Sequence, residues 1–151
     1  MSWTMWHVHG YGFDVAGVTA NKLVAFCDNH AKALDSYGNA KLLRDTIAEY
    51  KEEPIGDAEF YDGFLEMTEF GAVGDVVAHI IRQETHLDFF SPSLTDESED
   101  CVLFGPAYPW QFNDTENELK SPEELLDKAR PYAAELGVED TLGEFDLVYA
   151  G

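Results

Sequence analysis

A chain of 151 residues with 30 Asp and Glu against 9 Lys and Arg carries a formal net charge of −21. Such a charge repels nucleic-acid phosphates and anionic lipid headgroups, which argues against DNA, RNA or membrane surfaces as direct partners and leaves basic protein surface, cations or water as what it attracts. Hydrophobic residues at 45% and aromatics at 13% supply a real core, so the reading is a single globular domain over residues 1–151 rather than a disordered chain.

The first 92 residues hold 15 acids and 6 bases, and the remaining stretch holds 15 acids and 3 bases, so the acidity deepens toward the C-terminus. No run approaches a membrane span, and no basic-then-apolar signal pattern opens the chain. The two cysteines, Cys27 and Cys101, form neither a CxxC nor a disulfide framework. Buried thiols in a reducing cytoplasm are the expectation.

In chain order, Trp3 to His9 reads as a strand ending at a Gly10-Tyr11-Gly12 turn. Neither of its faces is cleanly polar, which predicts a central strand. Thr19 is the N-cap of a helix whose apolar positions Leu23, Cys27, Ala31 and Leu34 recur at helical spacing, with Gly38 as the stop. A second helix, from about Asn39 to Lys51, buries Leu43, Ile47 and Tyr50 and ends before Pro54. Asp57 to Met67 reads either as a helix, through Phe60, Phe64 and Met67, or as a turn at Tyr61-Asp62-Gly63. Val73, Val76, Val77, Ile80 and Ile81 predict a helix from about Thr68 to Glu84.

Leu87–Phe90 and Cys101–Phe104 read as short strands joined by a polar hairpin loop. Ser121-Pro122-Glu123-Glu124 fits a helix N-terminus, with Ser at the cap, Pro at the first position and Glu closing a capping box. Leu125, Leu126, Ala129, Ala133 and Leu136 form the buried side, and Gly137 ends the helix. Phe145 to Tyr149 is a final strand. Clustered rather than alternating elements predict an α+β fold, a small mixed or antiparallel sheet of about four strands covered by three to five helices.

Candidate chemistry is sparse. His7 and His9 point the same way on a strand, about 7 Å apart, and need one further ligand to share a metal. Cys27, His79 or His86 would have to arrive through the fold, so no metal or cofactor is predicted. His79 follows Asp75 by four residues, a spacing that makes an exposed helix-surface pair without any catalytic role. The run Asp96-Glu97-Ser98-Glu99-Asp100 alternates oxygen ligands but has Cys101 and Ala107 where a calcium loop needs Gly and Glu. Asp96, Glu97, Glu99 and Asp100 therefore read as a solvated acidic loop suited to a basic partner. Tyr108 and Trp110, in a loop stiffened by Pro109, have the character of interface anchors or of a plug for the core.

The run Trp6–Gly12, the tripeptide Tyr108-Pro109-Trp110 and the segment Ser121-Pro122-Glu123-Glu124 together resemble small acidic proteins of phages and mobile elements of gut bacteria. That resemblance implies a bacterial cytoplasmic setting and an anti-defence or regulatory role, and it carries no catalytic motif. The expectation is a non-enzymatic protein-binding module, in its sharpest form a DNA mimic whose carboxylates replace phosphates. The alternative is a small cytosolic hydrolase using His7 and His9 with nearby carboxylates.

Overall fold

The computed structural model describes residues 5–38, 40–57, 59–60, 73–87, 89, 91, 101–104 and 121–150; for residues 5–9, 101–104, 122 and 146–150 it describes the backbone. In chain order the elements are strand β1 (Met5–Asp14), helices α1 (Ala20–Asn29), α2 (Ala31–Leu34), α3 (Ala40–Glu52) and α4 (Val73–Thr85), strand β2 (Cys101–Phe104), helix α5 (Pro122–Glu135), a 3-10 turn (Glu139–Thr141) and strand β3 (Gly143–Ala150). The fold is α+β, with helices packed on a small antiparallel sheet.

Among the described residues the sheet has three strands in the order β2-β1-β3, so β1 is indeed central. It runs five residues beyond the predicted end at His9. Gly10, Tyr11 and Gly12 are not a turn, because each is paired in the sheet: Gly10 with Phe145 of β3, Tyr11 between Glu144 and Phe104, and Gly12 between Gly143 and Leu103. Paired backbone overrides the local preference of glycine for turns. The turn comes at Asp14, whose Oδ1 accepts from Ala16 N–H at 2.8 Å. Thr141 ties this corner to the 3-10 turn by accepting from Asp14 N–H at 3.0 Å.

The predicted fourth strand at Leu87–Phe90 is not present among the described residues. Leu87 and Phe89 are buried, but Phe89 N–H donates to the Leu87 carbonyl at 2.9 Å, a span that an extended strand cannot close. Arg82 Nη1 holds the Phe89 carbonyl at 2.8 Å. β2 consequently finds its described partner in β1 rather than in a hairpin with this segment. Asp88, Phe90 and the loop 92–100 lie outside the described residues.

Thr19 caps α1 as its sequence position suggests, accepting from Lys22 N–H at 3.3 Å. Asp57 adds a second cap from a distance, accepting from Ala20 N–H at 2.9 Å and placing a carboxylate at the positive end of the helix dipole. The single long helix predicted from Thr19 to Gly38 is broken at His30, whose backbone leaves the helical region at φ −120° and ψ 30°. α3 and α4 match the predicted apolar stripes: Leu43 and Ile47 are buried, as are Val73, Val76, Val77, Ile80 and Ile81. Within 57–67, Asp57, Glu59 and Phe60 are helical, and Phe60 meets Tyr50 edge-on at 5.1 Å.

Ser121 caps α5 by accepting from Glu124 N–H at 3.2 Å, and Gly137 ends it at φ 78°. Leu125, Ala129, Ala133 and Leu136 are buried and Leu126 is half-buried. α5 lies against β1, while α4 packs on α2 and β2. The buried apolar residues form one cluster around Phe13, Phe26, Leu23, Leu34, Ile80 and Phe89. Among the described residues no helix is long and apolar enough to cross a membrane.

Candidate functional site

The residues singled out by sequence fall largely beyond what the structure describes. Asp96, Glu97, Glu99, Asp100, Tyr108 and Trp110 lie outside the described residues. His7 and His9 stand on β1, opposite Val148 and Asp146 of β3, with the backbone alone described. Cys27 is buried on α1, and desolvation, reinforced by the neighbouring Asp28 charge, pushes its thiol up to about 12. It is therefore a packed, protonated thiol rather than a nucleophile.

His79 is half-buried rather than exposed, and it does not hydrogen-bond Asp75. Each turns instead toward the segment between α2 and α3: Asp75 Oδ2 accepts from Tyr37 OH at 2.7 Å, and His79 Nε2 lies 2.8 Å from Ser36 Oγ. The Tyr37 ring also meets the imidazole edge-on at 5.2 Å. Burial and the Arg82 charge hold His79 below its ordinary value, outweighing Asp75 and the Ala33 carbonyl, so the ring is neutral near pH 7. Serine beside neutral histidine has the elements of a nucleophile and its base. Yet Ser36 Oγ also donates to the Ala33 carbonyl at 3.2 Å. With its proton directed there, the hydroxyl accepts from His79, the reverse of what attack requires, and the carboxylate fit to orient the ring is engaged by Tyr37.

His30 was not singled out by sequence, and both of its ring nitrogens meet carboxylates. Its Nδ1 lies 2.7 Å from Glu84 Oε2 on α4, and its Nε2 lies 2.8 Å from Glu135 Oε2 on α5. Tyr132 OH donates to Glu84 Oε1 at 2.9 Å, and Asn29 Nδ2 donates to Glu135 Oε1 at 2.8 Å. The imidazole sits against Phe26, with ring centroids 4.5 Å apart, and near Tyr132 at 5.7 Å. No sequence signal reveals this cluster, because its members come from three helices separated by 54 and 105 positions. Among the described residues no group of three or more His, Cys, Asp or Glu is arranged to hold a metal ion.

Among the described residues the outer face of α3 carries a row of acids. Asp45, Glu49 and Glu52 recur every three or four residues on the side away from Leu43 and Ile47, and Glu53 follows directly after the helix. All four are exposed, and none is ion-paired among the described residues. Leu42, 51% exposed, stands at one end of this face, and Ile55, 43% exposed, lies beyond the other. Between α1 and α3 lies a groove of about 330 Å³, lined by Val24, Ala25, Tyr50 and Pro54 and by Asp28 and Lys51, which pair at 2.6 Å.

Compared with protein-family models, with curated proteins and with solved structures, the chain finds no match.

Proposed function

We propose that this protein acts by binding another protein through its acidic surface, the partner presenting a basic face. The observation that carries the reading is the α3 row of Asp45, Glu49, Glu52 and Glu53, four exposed carboxylates with no ion-pair partner among the described residues. Along a helix rising about 1.5 Å per residue, the first three are spaced about 6 and 4.5 Å apart along the axis, a regular line of negative charge. With a net charge of −21 behind it, such a line steers a cationic partner over a long range and makes capture fast and salt-sensitive. The acidic run 96–100 and the aromatics Tyr108 and Trp110 belong to the same proposal as further contact residues. In its sharpest form the carboxylates replace phosphates in the groove of a nucleic-acid-binding protein, an anti-defence or regulatory role of the kind the sequence resemblance implies.

The test is capture on immobilised protein at low salt, comparing the wild-type chain with Asp45→Asn, Glu49→Gln, Glu52→Gln and Glu53→Gln combined. The combined variant should lose at least about tenfold in affinity while keeping or raising its melting temperature, since removing like charges relieves repulsion. Elution by duplex DNA would support the mimic form. Undiminished capture would remove α3 from the interface, and the same substitution strategy at Asp96, Glu97, Glu99 and Asp100 then tests the loop.

The rival reading is a small hydrolase. It rests on His7 and His9 with nearby carboxylates, since the Ser36–His79 contact has the wrong hydrogen-bond sense for attack. Turnover of activated esters above the solution background, abolished by His7→Ala with His9→Ala, would put it first.

A further inference from the structure

We propose that His30 is a protonation-dependent clamp: carrying protons on both ring nitrogens, it fastens α1 to α4 through Glu84 and to α5 through Glu135, and losing one proton opens one of the two links. The geometry leaves little freedom in this assignment. The outer oxygen of each carboxylate is taken by a neutral donor, Tyr132 OH on Glu84 and Asn29 Nδ2 on Glu135. The inner oxygens face the imidazole from opposite sides at 2.7 and 2.8 Å. A carboxylate only accepts, so both contacts are hydrogen bonds when Nδ1 and Nε2 each bear a proton. When the ring gives one proton to solvent, the bare nitrogen lone pair faces a carboxylate lone pair at the same distance, and that contact becomes repulsive.

The groups facing His30 are Phe26 and Asn29 from α1, Glu84 from α4, and Tyr132 and Glu135 from α5. Among the described residues no Lys or Arg is ion-paired with either carboxylate, so the imidazolium is the one cation balancing two anions. Its side chain is 16% exposed, which keeps solvent from screening the pair. Burial alone pulls the ring toward its neutral form, but the hydrogen bonds to Glu135 and Glu84, together with their charges, outweigh it and hold the proton above the ordinary histidine range. A group raised in the folded state stabilises that state fully below its unfolded value, about 6.5, and loses the contribution as pH climbs through the folded value. The clamp therefore opens on the alkaline side. His79, held low, has the opposite sign and is felt as pH falls below about 6.5.

The test joins NMR titration of the imidazoles, assigned through the backbone, with denaturant unfolding from about pH 6 to pH 9. In the wild-type chain His30 should titrate above 6.5, and in Glu135→Gln its midpoint should fall. The folding equilibrium constant of wild type relative to His30→Gln should decline across this range, by tenfold for each pH unit separating the NMR midpoint of His30 from 6.5. Protection of the amides at the C-terminal end of α5, taken relative to their intrinsic exchange rate at each pH, should fall over the same interval in the wild-type chain and stay flat in His30→Gln. A His30 midpoint at or below 6.5, or a wild-type to variant ratio flat with pH, would overturn the proposal. Should His30→Gln fail to fold, the wild-type titration and Glu135→Gln decide it between them.

Discussion

Cys27, His30 and His79 show that a residue's chemistry here is set by what the fold places against it. The two histidines share one intrinsic affinity for protons, yet the carboxylates on either side of His30 raise it while burial and Arg82 lower His79. Cys27 has a neighbouring acid and an apolar surround, and both oppose the thiolate. In a Cys101→Ser chain, Cys27 should therefore be silent toward a disulfide reagent at about pH 8 while the protein is folded. It should react fully once denaturant is added. Rapid reaction of the folded chain would mean that the thiol is reached by solvent and that the packing around Phe26 opens readily.

Helix ends carry the next layer of specificity, and two of them use left-handed backbone in opposite ways. α5 ends on Gly137 at φ 78°, a conformation that glycine adopts freely and that a Cβ penalises. A Cβ there meets Lys22 Cε at 3.8 Å, ordinary contact, so the cost of Gly137→Ala is conformational, about 1–2 kcal/mol. α4 ends at His86, which adopts φ 61° without being glycine and is held there by its N–H to the Arg82 carbonyl at 3.0 Å. His86→Gly should accordingly stabilise the protein by about 0.5–1 kcal/mol, the relief of the strained backbone exceeding the extra freedom given to the unfolded chain. At the other end of α5, Ser121→Ala removes the acceptor for Glu124 N–H and should cost about 1 kcal/mol. Urea unfolding of the three variants reads all of these signs. A destabilised His86→Gly would show that the imidazole itself contributes at that corner.

At the scale of the molecule, the charge of −21 is a load that the apolar cluster must overcome. Described cations are few, and several are already paired, Arg44 with Asp35 and Lys51 with Asp28 among them. Self-repulsion among the rest weakens the compact state and is screened by salt, whose reach shortens from about 30 Å at 0.01 M to about 3 Å at 1 M. The melting temperature should therefore rise on adding sodium chloride at constant pH, and rise less in the neutralised α3 variant. A melting temperature that is flat or falls with salt would show that local ion pairs outweigh the global repulsion. The same screening should weaken partner capture, so stability and binding are expected to move in opposite directions with ionic strength.

Much of the architecture was legible in the sequence wherever a local rule and the fold agree. The Thr19 and Ser121 caps, the Gly137 stop and the apolar stripes of α3, α4 and α5 are all short-range patterns, set within one or two turns of the chain. The α+β class follows from how these elements cluster along the chain, and the central place of β1 from the lack of a polar face on its residues. Non-local contact decided the rest. Gly10 and Gly12 became strand because β3 pairs with both and β2 pairs with Gly12 as well, and Leu87 and Phe89 stay out of the sheet, with Arg82 holding the Phe89 carbonyl. The helix from Thr19 broke at His30, whose ring is engaged from α4 and α5. Sequence pattern also placed His79 with Asp75, whereas the structure sends them to Ser36 and Tyr37. The His30 cluster was invisible for the same reason: periodicity reports which residues face a core, but the meeting of Glu84, Glu135 and His30 depends on how three helices pack. Charge and burial patterning are summed along a chain and can be read from it, while the pairing of individual polar groups exists only once distant segments have met.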